Sequence, residues 1–368
     1  MKALNSIDIF CSIVDNFGDI GVCWRLARQM TVEHQFCVRL FIDNIQDAKA
    51  ILPDDRMGVQ VIHWTDEIKY NEAADIVIEA FGCSLSENVL LAIVLKQSVW
   101  IDLEYLTAED WAIECHAIPS KHPTLKIEKT LFFPSFDRGN GGIIRENDLV
   151  SRRNTFLNDK NAQNEWRKSH FMPEICDNTI DISLFYYKYA PIEDLMKILS
   201  NSGKKVRVFK PVSILTDNQP NFVKTEGLLE IYEVSFLPQY DYDYLLWTCD
   251  LNFVRGEDSF VRAQLAGKPF IWNIYVQDKS TYLVKLKAFL EKIRPFYDEA
   301  SFERLANLHE LWNEEGEIKN KLSKVGWIQN PDSFAKLESG AKKWSDYLLS
   351  QTDLATQLLA FAEKQNTK

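Results

Sequence analysis

Two successive α/β units, Rossmann-like domains facing each other across a cleft, are predicted by three features of the sequence. The chain has 368 residues, and at roughly 150 residues per domain two domains is the natural division. Short apolar runs alternate with amphipathic stretches over about the first 140 residues. That alternation lapses between about Asp137 and Pro173, then resumes after Asp177. Apolar runs without polar interruption fit strands buried on both faces of a parallel sheet, with helices covering them.

In the first unit the expected strands are Ile7–Val14, Cys37–Ile42, Gln60–Trp64, Asp75–Ala80, Val99–Leu103 and Thr130–Phe133. Helix-like segments lie between several of them: Gly21–Met30, Gln46–Leu52, Glu87–Lys96 and Ala108–His116. Arg138-Gly139-Asn140-Gly141-Gly142 is a loop signal, and the polar stretch Arg145–His170 reads as a linking helix. The second unit repeats the theme with strands Thr179–Phe185, Val206–Phe209, Leu229–Val234, Leu251–Val254 and Pro269–Trp272. Its expected helices are Ile192–Asn201, Tyr242–Trp247, Phe260–Ala266 and Tyr282–Phe289. From Ala300 onward the pattern is helical and ends in a helix over Asp346–Glu363. The expected division is therefore a first domain over 1–150, a linker over 151–176 and a second domain over 177–345. A C-terminal helix over 346–368 is expected to pack back on the first domain.

Apolar residues make up 46% and charged residues 26% of the chain. That is the ordinary globular balance and excludes disorder, collagen-like repeats and a disulfide-stapled miniprotein. With 42 basic and 53 acidic side chains the net charge is −11. A surplus of that sign opposes binding to phosphate backbones, so no nucleic-acid partner is expected. It leaves room for a local basic pocket that takes a small phosphorylated ligand. The seven cysteines (Cys11, Cys23, Cys37, Cys83, Cys115, Cys176 and Cys249) are odd in number, widely spaced and contain no CxxC pair. This usage fits a reducing compartment and opposes both a disulfide framework and a zinc site. Asp8 and Asp15 interrupt the one early apolar stretch, and no uncharged run reaches bilayer-spanning length. A soluble, cytoplasmic protein without a membrane partner is expected.

Two loops carry the chemistry. The first, Asp15-Asn16-Phe17-Gly18-Asp19-Ile20-Gly21, follows the first strand and opens the first helix. Ligands of open α/β sheets bind beyond the carboxyl ends of strands, so the position favours a site. Two carboxylates four residues apart suit a base and its orienting partner. With equal force, Asp19 reads as a helix N-cap and Asp15 as the closure of an Asx turn. The GxGxxG dinucleotide fingerprint is absent, which opposes an NAD or FAD assignment. The second loop, Arg255-Gly256-Glu257-Asp258-Ser259, joins a strand to a helix. Such a junction aims backbone amides and the positive helix end at an anion. Arg255 adds a forked cation suited to phosphate oxygens, Ser259 offers a hydroxyl, and Glu257 can accept from a sugar hydroxyl. The plainer alternative has Asp258 or Ser259 capping the helix while Arg255 pairs with Glu257.

Aromatic residues at strand ends supply further candidates. Phe185-Tyr186-Tyr187, Phe236-Leu237-Pro238-Gln239 and Tyr275 could stack a base, with Gln239 reading its polar edge. Strand aromatics are more often core, so by themselves they decide little. Asp241-Tyr242-Asp243 has the outline of a DxD metal motif but precedes an expected helix, where an acidic cap is the commoner role.

Taken together, the two loops resemble one family. Asp15-Asn16-Phe17-Gly18-Asp19-Ile20-Gly21-Val22-Cys23-Trp24-Arg25-Leu26 is similar to the N-terminal signature of the protein-arginine rhamnosyltransferases that modify bacterial elongation factor P. The stretch from Asp250 to Gln264 resembles their C-terminal signature, continued by Gly267-Lys268-Pro269-Phe270 and Ile274-Tyr275-Val276-Gln277. The resemblance covers nearly the whole chain. It implies a GT-B fold and an inverting, metal-independent transfer without a cofactor. The implied donor is dTDP-β-L-rhamnose and the implied acceptor an arginine guanidino group of elongation factor P. Carried onto this chain, Asp19 matches the general base and Asp15 its neighbouring acid, beside Asn16, Phe17 and Gly18. Arg255, Glu257, Asp258 and Ser259 match the donor loop, with Glu257 also placed among the catalytic residues. Phe185, Tyr187, Phe236, Gln239 and Tyr275 match nucleotide contacts.

The implied chemistry is coherent. A guanidinium has a pKa above roughly 12 and is not nucleophilic at neutral pH. Carboxylates can hold it, localise its electrons and take a proton as the C–N bond forms. Two rivals fit the same residues: another GT-B nucleotide-sugar enzyme, with a small acceptor or epimerase activity, and a non-catalytic nucleotide-sugar-binding protein. Activity without elongation factor P would mark the first, and binding without turnover the second.

Overall fold

The computed structural model describes residues 3–13, 18–49, 51–65, 67–212, 222–276, 281–313 and 330–367. The chain divides into two compact units, 1–147 with 351–368, and 148–350. The first contains β1 (Ser6–Cys11), α1 (Gly18–Val32), β2 (Cys37–Ile42), α2 (Ile45–Ala48), β3 (Gln60–His63) and β4 (Ile76–Ala80). It continues through α3 (Glu87–Lys96), β5 (Val99–Leu103), α4 (Asp110–Cys115), β6 (Pro119–Lys121) and β7 (Glu128–Phe132). The sheet order is β3-β2-β1-β4-β5-β7-β6. All pairings are parallel except β6 with β7. Successive strands run outward from β1 on one side and from β4 on the other, so the topological switch lies between these two. Ile7, Ile9, Ile76, Val77 and Ile78 are buried along that centre, as a doubly covered parallel sheet requires.

The second unit begins with α5 (Leu149–Leu157) and α6 (Lys160–Ser169), followed by β8 (Thr179–Leu184), α7 (Ile192–Ser200), β9 (Lys205–Pro211), β10 (Phe222–Glu226) and β11 (Leu229–Val234). Then come α8 (Gln239–Thr248), β12 (Leu251–Arg255), α9 (Asp258–Ala266), β13 (Phe270–Asn273), α10 (Thr281–Ile293), α11 (Glu299–Asn313) and α12 (Pro331–Leu349). The sheet order is β10-β11-β9-β8-β12-β13, and only β10 runs antiparallel. Its switch lies between β8 and β12. Residues 151–176, read in sequence as a linker, fall in this unit. There Phe156 packs edge-on against Tyr244 at 4.7 Å, and the buried Arg167 pairs with Asp181.

The helix expected over Asp346–Glu363 is two helices. α12 ends at Leu349, and α13 (Leu354–Asn366) starts after Asp353, whose carboxylate accepts from the Thr356 amide at 3.1 Å. An acidic N-cap begins a new helix because it satisfies amides that otherwise have no partner. α13 belongs to the first unit, where the Leu354 amide donates to the Ile143 carbonyl at 2.9 Å and Gln29 Nε2 donates to Asp353 Oδ1 at 3.0 Å. Gly142 permits this docking. A Cβ there would lie 2.6 Å from the Thr352 carbonyl oxygen, and its φ is +73°. Every cysteine is a free thiol. Among the described residues no helix is long and apolar enough to cross a membrane.

Candidate active site

In the first unit the described candidates, Gly18 and Asp19, follow β1, one of the two strands at the switch. Asp15, Asn16 and Phe17 lie outside the described residues; Gly18 and Asp19 open α1. Asp19 is 2% exposed. The N-cap reading of Asp19 is corrected: it is the second residue of the helix. Its Oδ1 accepts a hydrogen bond from the Tyr105 hydroxyl at 3.1 Å. Tyr105 follows β5 and stacks on Phe81 at 4.4 Å, and Phe81 follows β4 with φ +58°. The end of β5 thus reaches this carboxylate through Tyr105, and the end of β4 backs the tyrosine ring through Phe81. The position of Asp19 in the first turn of α1 also places it in the favourable field of the helix N-terminus. Tyr105 was missed in the sequence; its one signal is a tyrosine two residues beyond a strand.

In the second unit β8, β12 and β13 are adjacent and parallel, so their carboxyl ends share an edge at the switch. Arg255 is the last residue of β12. Its guanidinium lies 4.1 Å from the Phe185 ring centre and 4.8 Å from that of Tyr187, and Nη1 donates to the Tyr186 carbonyl at 3.1 Å. Cation–π contact between two rings fixes the plane of the fork. Tyr275 meets Tyr187 at 5.6 Å. The next loop is built by its own backbone. Gly256 has φ +64°, and its carbonyl accepts from the Trp272 indole at 2.9 Å. The Ser259 hydroxyl donates to the Arg255 carbonyl and accepts from the Arg255 amide. Asp258 and Ser259 therefore lie inside α9, while Glu257 occupies the N-cap position without a side-chain capping bond. The expectation that Asp258 or Ser259 caps this helix is corrected accordingly. The N-terminal end of α9 faces the same edge of the sheet as Arg255.

Gln239 opens α8, and its Nε2 donates to Asp258 Oδ2 at 2.9 Å. Phe236 stands half-buried in the preceding loop. Asp241-Tyr242-Asp243 lies within α8 rather than before it. Asp243 is buried and bidentate to Arg262, at 2.8 and 2.6 Å, so it serves helix packing. Tyr242 packs edge-on to Phe185 at 6.0 Å; burial, then the Asp258 carboxylate, pushes its hydroxyl pKa well up. The structure thus brings Phe185, Tyr187, Gln239, Arg255, Asp258, Ser259 and Tyr275 to one sheet edge by contact. What sequence reading missed here is the support: Trp272, Asn273 and Asn313.

Each unit thus carries its candidates at its own switch point, a buried carboxylate in the first and an arginine beside a helix N-terminus in the second. Solved glycosyltransferases share the fold. VinC in complex with dTDP superposes with TM-score 0.51 over 98% of this chain and 100% of that one, at 11% identity. The spinosyn rhamnosyltransferase SpnG does so with TM-score 0.51 over 98% and 100%, at 10% identity. These likenesses define the fold class, GT-B.

The family follows from closer matches. The family model of the elongation-factor P (EF-P) rhamnosyltransferase EarP matches residues 7–363. The protein-arginine rhamnosyltransferase of Pseudomonas putida is 35% identical, over 96% of this chain and 97% of that protein. Its namesake from Pseudomonas aeruginosa is 37% identical over 97% and 98%. A structure described as the basis for EarP-mediated arginine glycosylation of translation elongation factor EF-P superposes with TM-score 0.69. It is 27% identical, over 98% of this chain and 99% of that one. The chain belongs to the EarP family of rhamnosyltransferases.

Proposed function

We propose that this chain transfers L-rhamnose from dTDP-β-L-rhamnose to an arginine guanidino group of elongation factor P, with inversion and without a metal. The observation that carries the reading is Arg255. Its guanidinium is held between Phe185 and Tyr187 at the switch point, with the N-terminal end of α9 beside it. A guanidinium has five N–H donors, and those not used by Tyr186 suit a diphosphate. Arg255 and the α9 amides would stabilise the charge that develops on the departing dTDP, where preorganised donors contribute most. Phe185, Tyr187, Phe236 and Tyr275 would hold the base, with Gln239 oriented by Asp258. Glu257 would accept from a sugar hydroxyl.

Acceptor chemistry is assigned to the first unit. Asp19, steadied by Tyr105, would hold the arginine guanidinium with Asp15 and accept its proton as the C–N bond forms. A carboxylate is a weak base toward a guanidinium, so Asp19 would act chiefly by electrostatics and orientation, with proton loss late. Inversion places the attacking nitrogen opposite the leaving diphosphate. The single dTDP–sugar bond breaks as one C–N bond forms, and the proton leaves through the carboxylate.

The test is incubation with elongation factor P and dTDP-rhamnose, read by intact mass and then by mass mapping of the modified residue. One added deoxyhexose on a single arginine is expected. Asp19→Asn should fold normally and lower the rate by about 10²–10³-fold, the usual range for loss of a preorganised electrostatic group; an unchanged rate of addition removes Asp19 from the mechanism.

A further inference from the structure

We propose that Asn273 and Asn313 are positioning residues for the nucleotide-sugar edge. These two buried side-chain amides set the spacing of Tyr187, Tyr275 and Arg255. The proposal rests on the reading above that this edge binds the donor.

Both amides are withdrawn from solvent, at 0% and 1% exposure. Asn313 is the last residue of α11, outside the site. Its Nδ2 donates to the Trp272 carbonyl at 2.7 Å and to the His309 carbonyl at 2.8 Å. Its Oδ1 accepts from the Ile274 amide at 2.8 Å and from Asn273 Nδ2 at 3.3 Å. A carboxamide has two donors and two acceptor lone pairs, so Asn313 is saturated and has one orientation. Asn273, the last residue of β13, then presents Oδ1 to the Tyr187 amide at 2.8 Å. A third tie runs in parallel, from the Tyr189 hydroxyl to the Ile274 carbonyl.

These bonds begin where the sheet stops. The last register pair of β8 with β12 is Leu184 with Phe253, and that of β12 with β13 is Arg255 with Asn273. The Phe185 amide still donates to the Phe253 carbonyl at 3.0 Å; past it irregular backbone needs other partners. The amides supply them at the residues that carry the rings. A helix end thereby fixes a strand end, which fixes the next strand end, and Tyr187 comes to rest 5.6 Å from Tyr275 and 4.8 Å from the Arg255 guanidinium. A role in packing alone would need no bond to the Tyr187 amide.

The experiment compares Asn273→Ala, Asn313→Ala and a stability control, Leu337→Ala in the buried face of α12, all in the full-length chain. dTDP affinity is measured by calorimetry, together with thermal stability and the KM for each substrate. Both asparagine variants should bind dTDP about tenfold more weakly, equivalent to roughly 1.4 kcal/mol. They should raise the donor KM while kcat and the acceptor KM stay within about twofold. The control should lose stability and keep its dTDP affinity. Wild-type affinity in Asn273→Ala, or an equal loss in the control, overturns the proposal. Should Asn313→Ala fail to fold, Asn273→Ala decides, because it leaves the Asn313 bonds to Trp272, His309 and Ile274 in place. Failure of the unaltered chain to bind dTDP is a different result: it overturns the donor reading, and this proposal with it.

Discussion

Asp19 and Arg255 both stand out in the sequence as candidates, since each stands at a strand-to-helix junction among residues of the proposed chemistry. Their partners do not. Tyr105 is separated from Asp19 by 86 residues, and no local pattern links a tyrosine after β5 to an aspartate in α1. Removing that hydroxyl with Tyr105→Phe should lower kcat about tenfold, since bonds to charged groups contribute roughly 1.5–3 kcal/mol. It should leave dTDP affinity unchanged. Calorimetry beside a turnover assay separates the two, and an unaltered kcat would show that Tyr105 does not steady the carboxylate. Arg255→Ala should weaken dTDP binding by at least tenfold through loss of charge-assisted bonds; equal affinity would remove Arg255 from the site.

At the scale of elements, long apolar strands and amphipathic helices were legible and short edges were not. β6 and β10 escaped because Pro-Ser-Lys and Phe-Val-Lys-Thr-Glu carry little apolar signal; among the described residues they are the outermost strands, paired antiparallel on one side. Helix starts were also misplaced. α8 and α9 begin two or three residues earlier than their apolar positions indicate, and that shift carries Gln239, Asp258 and Ser259 into first turns. Two glycines mark contacts between elements. A Cβ on Gly340 of α12 would come within 2.2 Å of the Tyr297 ring, and one on Gly142 within 2.6 Å of the Thr352 carbonyl. Gly340→Ala should cost about 1–3 kcal/mol by overpacking. Gly142→Ala should loosen α13, through strain at positive φ as well as collision. Urea unfolding measures the first. Faster hydrogen exchange in 354–366 would report the second, and wild-type exchange there would refute it.

For the whole molecule, acid stability divides between the units. His309, buried in the second, has its pKa lowered by burial to about 4. The unfolded chain takes up this proton first, so that unit should lose stability as pH falls from about 6.5 to 4. Glu79, in the first unit, is raised to about 7 by burial and then by Asp102. Here the folded form holds the proton longer, so the contribution is present at low pH and is lost as pH rises from about 4.5 to 7. Unfolding followed at several pH values should show a shallower acid decline in His309→Gln and a shallower loss toward neutrality in Glu79→Gln; slopes equal to the wild type would contradict the assignments. What sequence alone determined was the succession of two α/β units and the two loops that hold the candidate residues. Those properties are written in apolar periodicity and in residue types a few positions apart. Only the tertiary structure decided which strand ends meet, that Gln29 holds the start of α13 through Asp353, and that Asn313 holds Asn273, which in turn binds the Tyr187 amide. Those contacts join residues from about 40 to more than 300 positions apart. Strand order and helix packing bring them together, and no local pattern records either.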